Sequence, residues 1–237
     1  MLRRNFNQAG VSALGALVLA TYQQAHALAL GDLSHISNAE ASSGLKTALE
    51  MGALAAVALL GKPDGFLGNP KVRIPLPSFL EDASKILKTL GQGKRVDELE
   101  TSINRAAEAA VPMGKDLLVG AVRAMSVTDA KNILTGGGTS VTNFFAEKTR
   151  APLGVKFLPV VTKATEKVGL ANKYNEFAGK AAGFGLVKKE DANIQQYVTG
   201  KSLDGLYLII GEEEKKIRQD PVGSGSAILK KVFGAMK

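Results

Sequence analysis

The sequence predicts an all-α protein: an irregular multi-helix bundle of roughly eight to ten helices, with an extended proline-rich segment near residues 62–77. Two observations favour this class. Apolar residues recur at three- and four-residue spacing through most of the chain, as they do on one face of an α-helix. Glycines and prolines interrupt the pattern where helices are expected to end, and no strands alternate with the helices.

Helix-start signals mark the first half of the chain. A Ser-x-x-Glu capping box at residues 37–40 opens the first predicted helix, which ends at Gly61. The same spacing at residues 78–81 predicts a second helix start, Asp97 opens a third helix, and Ser126 caps a further one. Between the first two helices, residues 62–77 hold four prolines, and the residue before a proline avoids the helical region.

The second half is predicted to hold helices separated by glycine or proline. The first begins at Thr139 or Ser140 and runs to about Arg150, and the others lie at residues 154–169, 172–182, 191–198, 202–218 and 227–233. Residues 206–210 form an apolar run that could be a strand on its own. The helical phase continues on both sides of this run, so we predict a buried helix segment there.

The first 29 residues have the order of a secretory signal peptide. A basic start precedes an apolar run at residues 11–20, which is shorter than the ~20 residues needed to cross a bilayer. Small residues provide cleavage sites after Ala27 or Ala29. We therefore predict that residues 1–29 are removed on export and that residues 30–237 form one helical domain in the periplasm. Arg3 and Arg4 leave open whether export follows the twin-arginine or the general secretory route.

Composition narrows the chemistry of the exported chain. It has no cysteine, and His35 is the one histidine after the predicted signal, which disfavours zinc sites, haem ligation and serine or cysteine triads. No metal, cofactor or catalytic residue is predicted. The net charge is +8 for the full sequence and about +6 once Arg3 and Arg4 leave with the signal, and basic and acidic residues are interspersed. Tryptophan is absent, so nucleic acid is not an expected partner. The expected partner is an anionic lipid, another envelope component or a protein. No transmembrane anchor is predicted after signal cleavage.

A glycine turn before a helix is the most suggestive motif for a binding site. It comprises Gly136, Gly137, Gly138, Thr139 and Ser140. A helix start offers free N–H groups and the positive end of a dipole to an anion, and the two hydroxyls add donors. The alternative is that the glycines merely end one helix and begin the next.

Two charged clusters are predicted to be structural. Asn104, Arg105 and Glu108 lie in an alanine-rich helix, where close packing favours a partly buried polar network over a catalytic site. Residues 212–214 are three consecutive glutamates, which point in different directions on a helix and favour a solvated face. Glu214 is four residues before Arg218, and this spacing suggests a simple i, i+4 ion pair between them.

Four segments of the chain resemble a family of exported bacterial proteins known as domain of unknown function 4197. They lie at residues 69–77, 104–112, 129–145 and 220–234, in the same order as in that family. The resemblance implies a helical fold and a secretion signal. It implies no activity and no functional residues.

Three function classes remain open from the sequence. The favoured one is non-enzymatic binding of an envelope ligand such as a lipid or another anionic amphiphile. A structural or interaction protein of the cell envelope is the first alternative. An enzyme that works with carboxylates is the second, which the shortage of histidine and cysteine disfavours.

Overall fold

The computed structural model describes residues 38–136, 139–185, 188, 191–220 and 222–234. The predicted signal peptide and His35 lie outside these residues, as do Gly137 and Gly138. The α-helices are α1 Asn38–Leu60, α2 Ser78–Thr89, α3 Gly93–Ala110, α4 Lys115–Arg123, α5 Val127–Thr135, α6 Ser140–Thr165, α7 Gly169–Gly183, α8 Ile194–Gln219 and α9 Ala227–Gly234. No strand occurs in the described part, and the predicted all-α multi-helix class is confirmed.

Helix α8 is the centre of the bundle. It packs along much of its length against α6 on one side and α1 on the other, and α3 packs against α6. Gly52 brings α1 close to α8, because a Cβ atom there would lie only 3.3 Å from the backbone nitrogen of Glu214. Leu206 and Ile210 of α8 are fully buried, so the run at residues 206–210 is the buried helix segment that its phase predicts.

Helix α6 is longer than predicted, because it continues through Pro152 and Pro159 instead of breaking before residue 154. Both prolines lie on the exposed side of the helix, where water can satisfy the carbonyls that lose a partner. The opposite side carries Leu153, Phe157 and Val161, which are fully buried and hold the helix together by packing.

Three other helix boundaries differ from prediction. Helix α8 is continuous through Gly200, so the segments predicted at residues 191–198 and 202–218 are one helix. Helix α3 begins at Gly93, before Asp97. Helix α2 is capped by Pro77 without a side-chain hydrogen bond, so the capping box predicted at residues 78–81 is wrong. Ser126 caps α5 as predicted, in a capping box with Asp129. Packing of apolar faces overrides these local signals.

Helix α1 is long and apolar enough to span a membrane by length and composition. The candidate span is Ala39–Leu60, with a mean hydropathy of 1.4 in its most apolar window. Half of that window is buried inside the fold. A Cβ at Gly44 would lie 2.7 Å from a methyl carbon of Val232, so α9 also covers this helix closely. Those contacts are the ones that a core helix makes.

Candidate functional site

The predicted glycine motif lies between α5 and α6. Gly136 ends α5, and a Cβ atom there would lie 2.5 Å from the carbonyl oxygen of Asn132, so the close approach requires glycine. Thr139 precedes α6 without a side-chain capping bond, and no acidic residue lies in the first turn of that helix. The Ser140 hydroxyl donates to the carbonyl of Ile133 at 3.4 Å, so this residue turns back toward α5.

The predicted polar network of Asn104, Arg105 and Glu108 lies on α3 and holds residues 61–77 against this helix. The buried carboxylate of Glu108 accepts hydrogen bonds through Oε1 from the backbone N–H groups of Phe66 and Leu67, both at 3.1 Å. Its other oxygen, Oε2, accepts from Arg105 at 2.7 Å. One side chain on α3 thus satisfies two backbone donors in the turn that follows α1.

Arg105 connects this carboxylate to a strained part of the same turn. Its guanidinium also donates to Asp64 Oδ1 at 2.8 Å, and its hydrogen bond to Glu108 raises the pKa of Arg105 further. Asp64 has a φ of 64°, in the left-handed region that side chains rarely adopt. The ion pair therefore links α3 to a residue whose backbone conformation costs free energy.

Asn104 binds the extended part of the segment. Its amide accepts from the N–H of Ile74 at 2.8 Å and donates to the carbonyl of Ile74 at 2.9 Å. It also donates to the carbonyl of Glu100 at 2.9 Å, and its side chain is fully buried. The three predicted network residues thus lie together on α3, and these hydrogen bonds all go to other parts of the fold.

Open hollows lie along the exposed face of α8. Two adjoining hollows of about 440 and 230 Å³ share Asp204 and Leu208, and we call the pair the α8 groove. One is bordered by α6 and the other by the extended segment. The residues that line the groove include Thr139, Arg150, Lys201, Asp204, Leu208 and Lys215.

The charges of the α8 groove fall into two groups. Arg150 forms an ion pair with Asp204, and Lys71 forms one with Glu212 at 2.8 Å. Lys201 and Lys215 are exposed and form no ion pair with any residue that the structure describes. The groove therefore has cations whose charge is already neutralised and, at its two ends, cations that are available to a ligand.

A buried tyrosine and a partly exposed leucine form the floor of the groove. The ring of Tyr207 is fully buried, with the guanidinium of Arg150 5.5 Å from its centroid. The Tyr207 hydroxyl shares a 3.0 Å hydrogen bond with Thr149, and burial raises the pKa of this phenol. Leu208 lies between the two hollows with 42% of its surface exposed, which leaves an apolar side chain in contact with water.

The glutamate cluster on α8 differs from the prediction of a solvated face. Glu214 is buried against α1, and burial raises the pKa of its carboxyl group. The predicted ion pair with Arg218 is confirmed. Within the described residues, no group of three or more His, Cys, Asp or Glu side chains could hold a metal ion.

The sequence model of the family described as "Protein of unknown function (DUF4197)" matches residues 35–234. The chain belongs to this family. No curated protein and no solved structure shows a significant match. The family description assigns no activity.

Sequence reasoning did not identify the α8 groove as a site. Its lining comes from α6, α8 and the segment before α2, which are far apart in the chain. One signal was available: Lys201, Leu208 and Lys215 are spaced by seven residues and so lie on one helix face. Only the packing of α8 shows that this face is the exposed one.

Proposed function

We propose that this chain is an exported, non-enzymatic binding protein that holds an anionic amphiphile, such as a lipid, in the α8 groove. The observation that carries this proposal is the arrangement of Lys201, Leu208 and Lys215 on the exposed face of the central helix. An apolar side chain lies between two cations that have no acidic partner in the described part of the chain. This pattern complements a ligand that has an acyl chain and an anionic headgroup.

The dimensions of the groove suit such a ligand. The larger hollow, about 440 Å³, lies within the range of small-molecule sites, roughly 300–1,000 Å³. Leu208 is seven residues from each lysine, which places each cation about 10 Å along the helix from it. A headgroup at either lysine would therefore leave the first part of an acyl chain on Leu208.

The glycine motif adds a second donor set at the same hollow. Thr139 lines the groove together with Lys215, and it stands directly before α6. The α6 N-terminus has no acidic side chain of its own in the first turn. We therefore include Gly136, Thr139 and Ser140 in the proposed site as the end that receives an anionic headgroup.

Export rests on the sequence of residues 1–29, with its basic start, short apolar run and two cleavage sites. N-terminal sequencing of the protein from a cell fraction tests it directly. The expected result is a chain in the periplasm that begins after Ala27 or Ala29. A cytoplasmic chain that retains Met1 would contradict this part of the proposal.

Native mass spectrometry before and after organic extraction tests ligand binding. We expect an adduct that extraction removes and whose fragments identify an anionic amphiphile. In the double variant Lys201→Gln/Lys215→Gln, loss of charged hydrogen bonds should lower occupancy by at least about tenfold. The matched control is Lys94→Gln/Lys131→Gln, which removes two exposed lysines outside the groove. Equal occupancy in both variants, or no adduct in the unmodified protein, would exclude the groove as the site.

An envelope interaction protein is the second candidate, because one aromatic ring is exposed on α7 and a second directly after it. Phe177 is 59% exposed and Phe184 is 83% exposed, near the end of a helix at the edge of the bundle. A carboxylate enzyme has less support. Glu214 has the raised pKa that such an enzyme needs, but its partner is Arg218 and not a second carboxylate. A stable complex with another protein and no bound lipid would favour the interaction protein.

A further inference from the structure

Helix α6 has a second apolar face that no described residue covers. From Lys148 onward its exposed side carries Pro152, Val155, Lys156, Pro159 and Lys163, which we call the α6 outer face. Spacings of three and four residues place all five on one side of the helix. Over residues 152–163 this face is about 18 Å long, at 1.5 Å per residue.

The α6 outer face exposes apolar surface that core packing does not require. Val155 is 75% exposed, and Leu158 at the border of the face is 36% exposed. The opposite side of α6 already supplies the core contacts through Leu153 and Phe157, both fully buried. Isolated exposed apolar side chains are common, but here they join two prolines in a continuous strip.

Within residues 148–165 the charges on this face are all positive, and the exposed Glu166 follows at the C-terminal end of the helix. No acidic residue occurs between Lys148 and Thr165 in the sequence. Lys156 and Lys163 are exposed, and neither forms an ion pair with a described residue. An apolar strip with lysines beside it is the composition of a helix that lies in the plane of a membrane interface.

We infer that the α6 outer face docks the protein on an anionic lipid surface, with Val155 in the headgroup region and Lys156 and Lys163 on the lipid phosphates. A second copy of the chain fits this face poorly. A symmetric pairing of two α6 helices would place the lysines of one copy near those of the other. Lipid headgroups supply the negative charge that the face lacks.

This surface is separate from the α8 groove. None of the residues of the α6 outer face lines either hollow of the groove. The inference therefore holds whether or not the groove binds a ligand, and the two can be tested apart.

A single introduced tryptophan provides a local test, because the chain has none of its own. The full chain with Val155→Trp is mixed with phosphatidylglycerol vesicles and, separately, with phosphatidylcholine vesicles. We expect its emission to move to shorter wavelength with the anionic vesicles only. Phe177→Trp is the matched reporter on α7, an exposed position that should stay in water and show no shift.

Charge variants in the Val155→Trp chain complete the test. Lys156→Glu/Lys163→Glu should reduce the affinity measured from this shift by at least about tenfold, since each lysine near an anionic surface contributes about a fivefold factor. Lys94→Glu/Lys131→Glu makes the same change in net charge elsewhere and should have a much smaller effect. Lys201→Gln/Lys215→Gln in the groove should leave the shift in place.

Three outcomes would overturn the inference. They are an equal shift for the reporters at Val155 and Phe177, an equal loss for the two glutamate double variants, and a shift with neither kind of vesicle. An acidic protein captured through the α6 outer face while vesicles give no shift would likewise replace the lipid surface as its partner. Circular dichroism of each variant confirms that the helices are retained.

Discussion

Replacing Glu108 with alanine should be among the most damaging changes outside the purely apolar core. The carboxylate accepts from the N–H groups of Phe66 and Leu67 and from Arg105, and its side chain is only 6% exposed. Alanine removes all three interactions and leaves the two backbone donors with no acceptor from this side chain. The turn that carries them would then lose its attachment to α3.

The magnitude follows from the burial of each partner. An unsatisfied buried donor costs about 1–3 kcal/mol, and Phe66 N is buried while Leu67 N is partly so. Arg105 is 41% exposed and can turn to water and Asp64, so its side of the ion pair adds little. We expect Glu108→Ala to lower the free energy of unfolding by about 3 kcal/mol.

Urea denaturation followed by circular dichroism measures this loss as a shift of the midpoint at constant slope. Glu108→Gln keeps one acceptor oxygen and should cost about 1–2 kcal/mol. Arg105→Ala should cost about 1 kcal/mol or less. The exposed Glu98 on the same helix is the control, and Glu98→Ala should stay within about 0.5 kcal/mol. If Arg105→Ala cost as much as Glu108→Ala, the ion pair and not the backbone acceptor role would be the source of stability.

Three further changes test the same segment by urea denaturation. Asn104→Ala removes both hydrogen bonds to Ile74 and should cost about 2–4 kcal/mol; a cost below about 1 kcal/mol would contradict this. Gly205→Ala puts a Cβ 2.9 Å from the buried ring of Phe66 and should cost about 1–3 kcal/mol, whereas a neutral result would mean that the ring moves freely. Burial raises the pKa of Tyr197 to about 12 from an ordinary 10.0. The folded state then holds more protons than the unfolded state above pH ~10, so stability should fall as pH rises from about 10 to about 12, and Tyr197→Phe should flatten that decline.

The class of fold could be predicted from the sequence because periodicity is local. Ser126 and Asp129 are three residues apart, and they form the capping box that their spacing indicates. The continuity of α6 through Pro152 could not be predicted in this way. A proline is tolerated inside a helix only where the carbonyl that loses its partner faces water and the other side is held by packing. Both conditions depend on helices that are distant in the sequence.

The candidate sites likewise differ in how far they could be predicted from the sequence. Asn104, Arg105 and Glu108 were recognisable as a cluster because they lie within two turns of one helix, but the partners that give them a role, Phe66 and Ile74, lie about 30 to 40 residues earlier. The α8 groove was not recognisable at all, since three separate segments build it.

The glutamates of α8 show why burial has to be known before a charge can be interpreted. Glu212, Glu213 and Glu214 are chemically identical neighbours, yet only Glu214 is buried. Glu214 lies where α8 packs against α1, and Gly52 allows the two helix backbones to approach closely at that turn. Glu212 is instead in reach of Lys71 and so helps to define the groove. Of three identical side chains on one helix, one thus lies in the core and another lines the surface that we propose binds a ligand. Contacts with α1 and with Lys71 determine this difference, and the sequence of α8 alone does not predict them.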